Sequence, residues 1–226
     1  MRGSAVLAYL CATPLPWSLR RLVLQWCCGF SIHKTARISR FSLVLTSKLE
    51  MGPHSEIGAF TVCKGAELLR LEEYAHIGAF NWITGFPLGT GSRHFELDKD
   101  RKPQLIVEQH AAVTNRHIID CTDEVVIGAF SIFAGFRSQI LTHSIDLKQA
   151  RQGCKPVRIG HHCFVGTASV LLGGSALPDG SVLAAHSLLI SSFETPHTLY
   201  GGVPAKPIKP IEPGGAYFSR TTGYVY

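Results

Sequence analysis

His143 is the residue of this 226-residue chain whose type and position most favour acid–base chemistry. It stands in the sequence ILTHSID, just before a polar stretch, and Asp146 follows it by three residues. An imidazole, with an ordinary pKa of about 6.5, can take a proton from a hydroxyl or amine at neutral pH. Asp146 could orient that imidazole as in a catalytic triad, or it could be a solvated loop aspartate. A lone histidine is more often structural, so this spacing alone leaves both interpretations open.

An internal repeat of six residues predicts the elements that would hold these side chains in place. In the C-terminal half an aliphatic residue recurs at every sixth position, and a small residue follows the first five of them by four positions. The aliphatic series is Ile159, Val165, Leu171, Leu177, Leu183 and Leu189. The small series is Cys163, Ser169, Ser175, Ser181 and Ser187. A period of six fits a short strand and a bend rather than a helix, because residues two apart on a strand share a face.

Three such bends would close one coil of a triangular prism, and strands of successive coils would then pair about 4.8 Å apart. The expected fold is therefore all-β: a parallel β-helix over residues 31–200, followed by a C-terminal tail over 201–226. The same spacing continues upstream at Ile57, Cys63 and Leu69, at Leu71, Ile77 and Ile83, at Val107, Val113 and Ile119, and at Ile127 and Phe133. The phase slips between these blocks, which predicts loops or extra residues there.

Two polar stretches interrupt the repeat, near residues 85–104 and 144–156. Loops of this length inside a compact domain are usually functional, and a simple surface excursion is the alternative. The second stretch begins directly after His143, which favours function there. His117 is a further irregularity, since it occupies the inward slot that a small residue normally fills after Val113. Either the local register differs, or His117 lines a cavity.

Residues 1–30 do not follow the repeat and are expected to form an N-terminal helical cap. Trp17–Cys28 is compatible with a short helix, because two prolines precede it and Gly29 follows it. Its apolar stripe would cover the open end of the prism, and contact with a membrane surface is the alternative. No stretch reaches the ~20 apolar residues that a membrane-spanning helix needs.

The stretch from Lys155 to Lys209 resembles the C-terminal part of the hexapeptide-repeat acyltransferases. The matching sequences are KPVRIGHHCFVGTASVLLGGSALPDGSVLAAHSLL and, after a short gap, GGVPAKPIK. The family includes polysaccharide-biosynthesis sugar O-acetyltransferases and galactoside and maltose acetyltransferases. The resemblance implies a left-handed β-helix that transfers an acetyl group from acetyl-CoA to a hydroxyl or amine of a sugar, in surface polysaccharide or glycolipid biosynthesis. It also implies a homotrimer with active sites between adjacent prisms, and no metal.

The same resemblance assigns roles to residues that the repeat alone does not single out. His143 matches the histidine that acts as general base. Thr167 and Ala185 match positions that contact the pantetheine arm of coenzyme A. Lys206 and Lys209 match basic residues near its nucleotide phosphates, where lysines act as point charges, and a solvated tail is the alternative.

The acceptor site is expected to involve Asn115, His117 and Asp146. Asn115 and Asp120 lie where related sugar acetyltransferases often place polar groups that bind the acceptor, and a turn residue is the alternative for Asn115. The chain departs from the family at AAHS, where the family usually has GAGS. His186 therefore replaces a glycine, and it could narrow the pantetheine channel or add a contact.

The composition indicates which classes of ligand and partner are expected, but it does not identify them. The formal net charge of +6 favours anionic ligands such as coenzyme A, a nucleotide-sugar or a lipid-linked sugar. No basic run is interleaved with aromatic residues, so nucleic acid is not expected as a partner. The seven cysteines include no CxxC pair, which is typical of reduced thiols in a cytoplasmic protein, here with peripheral membrane contact as an option.

Two other functional classes remain open on the sequence. One is a metalloenzyme resembling γ-carbonic anhydrase, which needs three imidazoles, two of them close in sequence. No two of the eleven histidines are spaced by five residues, which disfavours it. The other is a non-catalytic β-helix that serves as a scaffold or binding module, because a fold does not fix a function.

Overall fold

The hexad residues form one continuous core in the computed structural model, which describes residues 3–225. Every aliphatic residue of the repeat is buried, and so are the small residues between them. Burial follows the strand period of two: Val157 and Ile159 point inward on one strand, and Leu171 and Leu189 point inward on two others. The core therefore runs along the axis of a coil rather than between two layers.

Three parallel sheets form the sides of a triangular prism, which we call sheets A, B and C. Sheet A contains the strands Ser31–Ile32, Lys48–Met51, Leu68–Leu71, Gln104–Val107, Val125–Ile127, Val157–Ile159 and Ala176–Leu177. Sheet B contains Arg37–Ile38, Glu56–Ile57, His76–Ile77, Ala112–Val113, Ile132–Phe133, Phe164–Val165, Val182–Leu183, Thr198–Gly202 and Ala205–Pro210. Sheet C contains Leu43–Leu45, Val62–Lys64, Trp82–Thr84, Ile118–Asp120, Gln139–Leu141, Val170–Leu172 and Leu188–Leu189. The chain visits A, B and C in turn, so the prism has an AB edge, a BC edge and a CA edge.

The slips of phase in the sequence come from longer strands in sheet A. Leu68–Leu71 turns both Leu69 and Leu71 inward, so this side of the coil takes two more residues than a plain hexad. Leu49 pairs with Leu69, which gives a coil of 20 residues, whereas Ile159 pairs with Leu177, which gives a coil of 18. The predicted extra residues are therefore part of the strands, not of loops.

Both interruptions of the repeat leave the prism at the CA edge. The first follows Trp82–Thr84 and contains neither helix nor strand before Gln104; we call residues 85–103 the first excursion. The second is an antiparallel hairpin of His143–Asp146 and Arg151–Cys154, which we call the hairpin. Two excursions on one edge give the prism a protruding, polar feature on a regular scaffold.

Two helices precede the prism, α1 over Gly3–Ala12 and α2 over Trp17–Cys28. The bounds of α2 agree with the prediction, and Gly29 ends it in the left-handed conformation. Helix α1 lies within the predicted helical cap, but it was not predicted as a separate helix. The Tyr9 hydroxyl of α1 donates to the carbonyl of Ser42 at 2.8 Å, and Arg20 of α2 donates to carbonyls of the first coil. Neither these helices nor any other in the part of the chain described has the length and apolar character to cross a membrane.

The sheet continues past residue 200, where we expected the β-helix to end. Thr198–Gly202 pairs in parallel with Val182–Leu183, and Ala205–Pro210 then pairs antiparallel with Thr198–Gly202. A short helix, α3 over Ala216–Ser219, follows. The GGVPAKPIK sequence therefore covers the end of one strand, the turn and most of the next strand in an antiparallel pair at the end of sheet B, and it is not a free tail.

Candidate active site

Asp120 and His143 meet at the CA edge, where the hairpin leaves the prism. Oδ2 of Asp120 lies 2.8 Å from Nδ1 of His143 and also accepts the backbone N–H of His143 at 3.2 Å. Asp120 ends the sheet C strand Ile118–Asp120 and pairs in register with Leu141 of the next coil. One turn of the prism therefore brings Asp120 beside the residues that follow Leu141.

The Asp120 carboxylate is buried and accepts hydrogen bonds at both oxygens. Oδ1 accepts the backbone N–H and the hydroxyl of Thr122, and Oδ2 accepts the same two groups of Thr142. Burial raises the pKa of Asp120, but donation from His143, Thr142 and Thr122 outweighs it and holds the pKa below its ordinary value. Asp120 is therefore a buried carboxylate that stays ionised at neutral pH.

The side chain of His143 is 41% exposed, so a ligand can reach it. The hydrogen bond to Asp120 raises the pKa of His143, partial burial opposes that rise, and the charge of Asp120 adds to it. An ionised carboxylate only accepts, so the Nδ1 of His143 carries a proton and the Nε2 of the neutral ring keeps its lone pair. Within residues 3–225, no side chain or backbone group makes a hydrogen bond to the Nε2 of His143. The ring is oriented to accept a proton from a ligand at Nε2.

The base of the hairpin is held between two coils. The backbone N–H of Lys155 donates to the carbonyl of Thr142 at 2.9 Å, so the chain rejoins the prism where it left it. Gly173 of the next coil passes close to the same carbonyl, and a Cβ at Gly173 would lie 2.5 Å from the oxygen. His143, as the first residue of the hairpin, is therefore fixed by the prism on one side and free on the other.

The first excursion folds back onto His143. The ring of Phe95 packs at right angles to the imidazole of His143, with ring centroids 5.8 Å apart, and Phe95 is buried. The guanidinium of Arg101 lies over Phe95 at 5.2 Å and donates to the carbonyls of Phe86, Pro87 and Thr122. Because Thr122 also donates to Asp120, Arg101 links the excursion to the carboxylate that orients His143.

Two clefts flank the hairpin. One, of about 640 Å³, lies between the first excursion and the hairpin; it is lined among others by Arg93, Phe95, Ile145 and Arg151. The other, of about 420 Å³, is lined by residues that include Asp98, Thr142, Ser144, Asp146, Lys155 and Gly173. Both clefts contain neighbours of His143 and polar or charged side chains, as a site for a polar ligand requires.

Asp146 does not touch His143. Its Oδ1 accepts the backbone N–H groups of Lys148 and Gln149, at 2.8 and 3.1 Å, and so stabilises the turn of the hairpin. The carboxylate that orients the imidazole is Asp120, and the expectation that Asp146 could do so is wrong. Asp146 remains on the wall of the smaller cleft.

His117 lies inside the prism, which corrects its expected place at the acceptor site. It is buried, its Nδ1 accepts the backbone N–H of Ser138, and its Nε2 lies 2.9 Å from the hydroxyl of Thr114. Burial lowers the pKa of His117 to about 4, and hydrogen bonding to the backbone of Ser138 and Gly135 only partly opposes this. His117 is therefore a neutral core residue, whose ring packs against Phe133 at 4.7 Å.

Asn115 is exposed at the BC edge, and sheet C separates it from His143. Its Oδ1 accepts the backbone N–H of Ala79 at 2.6 Å, one coil below. The geometry is that of a residue that bridges two coils at a bend. Within one chain, Asn115 and His143 do not share a site.

The candidate donor residues gather at the BC edge. Thr167 and Ala185 occupy equivalent positions in successive coils. The coils are close here, because a Cβ added at Gly166 would lie 2.5 Å from the backbone nitrogen of Ala185. Thr167 is half-buried and bonds to the backbone of Phe136, whereas Ala185 is exposed. His186 is exposed with a φ of 57°, a conformation that favours glycine.

Lys206 and Lys209 are exposed on the strand Ala205–Pro210. Lys206 pairs with Gly201. Gly201 lies against Ala184, since a Cβ added at Gly201 would be 2.9 Å from the Cβ of Ala184. Because Ala184 directly precedes Ala185 at the BC edge, Lys206 lies close to that edge. Lys209 pairs with Leu199, farther along sheet B. Neither lysine makes an ion pair with a residue of the described range 3–225.

Metal-ligating and thiol groups are dispersed. Between residues 3 and 225, no group of three or more His, Cys, Asp or Glu side chains could hold a metal ion. All seven cysteines are free, and burial raises the pKa of Cys63 and Cys163 to about 12. These two thiols are therefore core residues rather than nucleophiles.

Sequence reasoning missed the partners of His143. Asp120 was noted only as a polar residue near the acceptor, and Phe95 and Arg101 were not singled out. Counting coils would have found Asp120, because it lies one turn before Leu141. No spacing signal leads to Phe95 or Arg101, since the first excursion has no repeat.

Comparison with known proteins agrees with this architecture. No protein-family model matches the chain. A protein of Schizosaccharomyces pombe, provisionally named an acetyltransferase, is 34% identical over 74 residues, which are 31% of this chain. The alignment spans about a third of that relative's length, 35%.

Solved structures cover most of the chain. The polysialic acid O-acetyltransferase OatWY matches with a TM-score of 0.61 and 19% identity, over 85% of this chain and 90% of that one. A hexapeptide-repeat-containing acetyltransferase from Vibrio cholerae gives a TM-score of 0.47 and 17% identity, over 93% and 90%. At these sequence identities, structural similarity is evidence for the fold alone. Together with the three sheets and the period of six, the match to OatWY shows that this chain is a left-handed parallel β-helix of hexapeptide repeats.

Proposed function

We propose that this protein is an acyltransferase that moves an acetyl group from acetyl-CoA to a hydroxyl or amine of a sugar. The observation that carries the proposal is the exposed imidazole of His143, oriented through Nδ1 by the buried Asp120 at 2.8 Å. A scaffold would not need a buried, ionised carboxylate that orients one exposed histidine. The resemblance of Lys155–Lys209 to the hexapeptide-repeat acyltransferases supports the same activity.

His143 would act as the general base. Its Nε2 takes the proton of the acceptor hydroxyl or amine as that oxygen or nitrogen attacks the acyl carbonyl carbon. Asp120 stabilises the imidazolium that forms, without taking the proton itself. His143 then returns the proton to the sulfur as the carbon–sulfur bond breaks. Acetyl-CoA supplies the activated acyl group, and every proton in the step passes through Nε2.

The BC edge fits an elongated anionic donor. In the coils of Thr167 and Ala185 these two side chains at the edge are small, with Ala185 exposed and Thr167 half-buried, and they leave the outer line of these coils open. Lys206 lies near the end of this line that is closest to the last coil, and Lys209 lies farther along sheet B. Neither lysine has a carboxylate partner in the described part of the chain. The lysines would bind phosphate groups as point charges, and the stacked backbone would accommodate the narrow pantetheine arm.

The outer face of sheet C supports a homotrimer. Its outward residues are largely apolar and at least partly exposed: Leu43, Leu45, Val62, Trp82, Ile118, Leu141, Val170, Leu172 and Leu188. The outer face of sheet A instead carries charged residues such as Lys48, Glu50 and Arg70. An apolar face of this extent is typical of an interface. Because sheet C separates the BC edge from the CA edge, copies that meet on it would bring the donor edge of one chain toward His143 of another.

The clefts beside the hairpin suit a sugar acceptor. The larger cleft offers Arg93 and Arg151, which can bind a carboxylate or phosphate, and Phe95 and Ile145, which can pack on a ring. The proposal therefore favours an anionic sugar, a nucleotide-sugar or a lipid-linked sugar, in keeping with surface polysaccharide or glycolipid biosynthesis.

The proposal is tested by incubating the protein with acetyl-CoA and a panel of sugars, nucleotide-sugars and oligosaccharides, with product detection by mass spectrometry. His143→Ala should lower turnover at least ~100-fold. His161→Ala is a matched control, because His161 is also a half-exposed histidine with a carboxylate neighbour, Glu108, at 3.3 Å. Equal loss in both variants would count against a specific role for His143.

Donor binding is measured separately by calorimetry. Acetyl-CoA should bind the wild type and His143→Ala alike, and binding should weaken in the Lys206→Ala, Lys209→Ala double variant. Absence of binding to the folded wild type would favour a scaffold and refute the proposed activity.

A further inference from the structure

The outer faces of α1 and α2 are apolar, which is the reverse of what a helix on a water-exposed surface normally shows. Five large apolar side chains on these two helices are between 45% and 84% exposed: Leu7, Leu10, Leu19, Leu22 and Trp26. The faces turned to the prism contain Tyr9, Arg20 and Leu24, all buried.

Helix geometry places the exposed residues opposite the buried ones. At 3.6 residues per turn, Leu22 and Trp26 each lie two positions from Leu24 and point to the far side of α2. Leu7 has the same relationship to Tyr9 in α1. Since Tyr9 and Leu24 belong to the core that continues into the first coil, both apolar stripes face away from the prism.

The same end of the molecule carries an excess of positive charge. The first 49 residues contain seven basic residues and no acidic one, whereas the rest of the chain contains 15 basic and 16 acidic residues. On the first coil, Lys34, Arg37 and Arg40 are exposed and make no ion pair within the described range 3–225. The excess charge therefore lies on the coil next to the two helices, where, within the described range, only Arg37 has a carboxylate, Glu56, in register on the next coil.

We propose that the outer face of the α1–α2 pair binds the surface of an anionic phospholipid bilayer. The leucines would enter the boundary between headgroups and acyl chains, and Trp26 would lie at the headgroup level, where tryptophan is enriched. Lys34, Arg37 and Arg40 would attract anionic headgroups within one Debye length, about 10 Å. Helices of 10 and 12 residues are too short to span a bilayer, so they would lie along its surface.

This inference goes beyond the acyl transfer proposed above and does not depend on it. It gives the prism an orientation, with the first coil next to the membrane and the last coil away from it. His143 follows the fifth coil, so four inter-coil steps of about 4.8 Å place it about 20 Å above the first coil.

The test is flotation of the full chain with vesicles made of equal parts phosphatidylcholine and phosphatidylglycerol. The wild type should float with these vesicles, float less as salt rises, and stay in solution with pure phosphatidylcholine. Leu22→Ser with Trp26→Ser should abolish flotation. Ile190→Ser with Ile208→Ser is the matched control, because it removes two exposed apolar side chains from the opposite end of the prism.

A second variant tests the charge. Lys34→Glu with Arg37→Glu should weaken binding to the anionic vesicles and leave thermal unfolding unchanged. Failure of the wild type to float at low salt, or flotation unaffected by Leu22→Ser with Trp26→Ser, would overturn the proposal. So would a molar mass, measured by light scattering without lipid, that halves in this variant, because the apolar faces would then bind each other.

Discussion

Asp120 precedes His143 by 23 residues, yet its carboxylate lies 2.8 Å from the imidazole, because the two residues are one turn of the prism apart. The parallel register that aligns Asp120 with Leu141 sets this distance, and no local turn is needed. A rigid coil thus holds a charged pair at the foot of a protruding hairpin. The pair is the part of the site most open to test.

Asp120→Asn should lower turnover by at least ~100-fold while the protein remains folded. The amide has no charge to stabilise an imidazolium, and it can no longer fix the tautomer in which Nε2 is the acceptor. Steady-state kinetics with acetyl-CoA and an accepted sugar would measure the loss. Glu108→Gln, which alters the carboxylate beside His161, should have little effect. Comparable losses in both variants would contradict the assignment of Asp120.

The pH dependence of kcat/KM should report the same pair. The base must be neutral to act, so activity should fall as pH falls through the pKa of His143. Because Asp120 raises that pKa, the midpoint of the acidic limb should lie above about 6.5 in the wild type. In Asp120→Asn the midpoint should move to lower pH. A midpoint that does not move would show that another group controls the limb.

Arg101→Met should reduce kcat, up to ~100-fold if the geometry at His143 loosens by about 1 Å. The substitution removes the donors to the carbonyls of Phe86, Pro87 and Thr122, and with them the support of Phe95. Limited proteolysis should then cut the first excursion faster. Lys99→Met, on the same excursion but exposed, should change neither measurement. Unaltered kcat together with faster cleavage would make Arg101 purely structural.

A charge on the outer face of sheet C should dissociate the oligomer. We expect the wild type to have the molar mass of a trimer by light scattering, and Trp82→Glu with Ile118→Glu to have that of one chain, since both side chains are nearly half exposed on that face. Ile106→Glu, on the outer face of sheet A, is the control. A monomeric wild type at micromolar concentration would contradict an interface on sheet C.

The repeat allowed most of the fold to be predicted, because burial in a β-helix depends on a period of two within each strand and a spacing near six from one side of the prism to the next. The positions from Ile159 to Leu189 are all buried, as predicted. Helix α1 could not be predicted in this way, since its sequence GSAVLAYLCA is apolar on all sides and has no helical stripe. Its structure depends on packing against α2 and on the hydrogen bond from Tyr9 to the first coil.

The site was predictable only where sequence neighbours share it. His143 was found from its position before the hairpin, but finding Asp120 requires the number of residues in its coil. That number is 21 between Asp120 and Leu141, whereas other coils have 18 or 20. Asp146, close in sequence to His143, was the natural candidate and was wrong, because a hairpin turn competes for its carboxylate. Tertiary packing alone decides the contacts of Phe95 and Arg101.

Because the prism is a stack of whole coils, its length can change only by the height of one coil at a time. Each coil adds about 4.8 Å between the α1–α2 pair and His143. Insertion of one coil, or removal of one, would therefore shift the reacting imidazole by one such step without altering the Asp120 contact. The number of repeats in front of the hairpin thus sets how far from the end of the molecule its chemistry takes place.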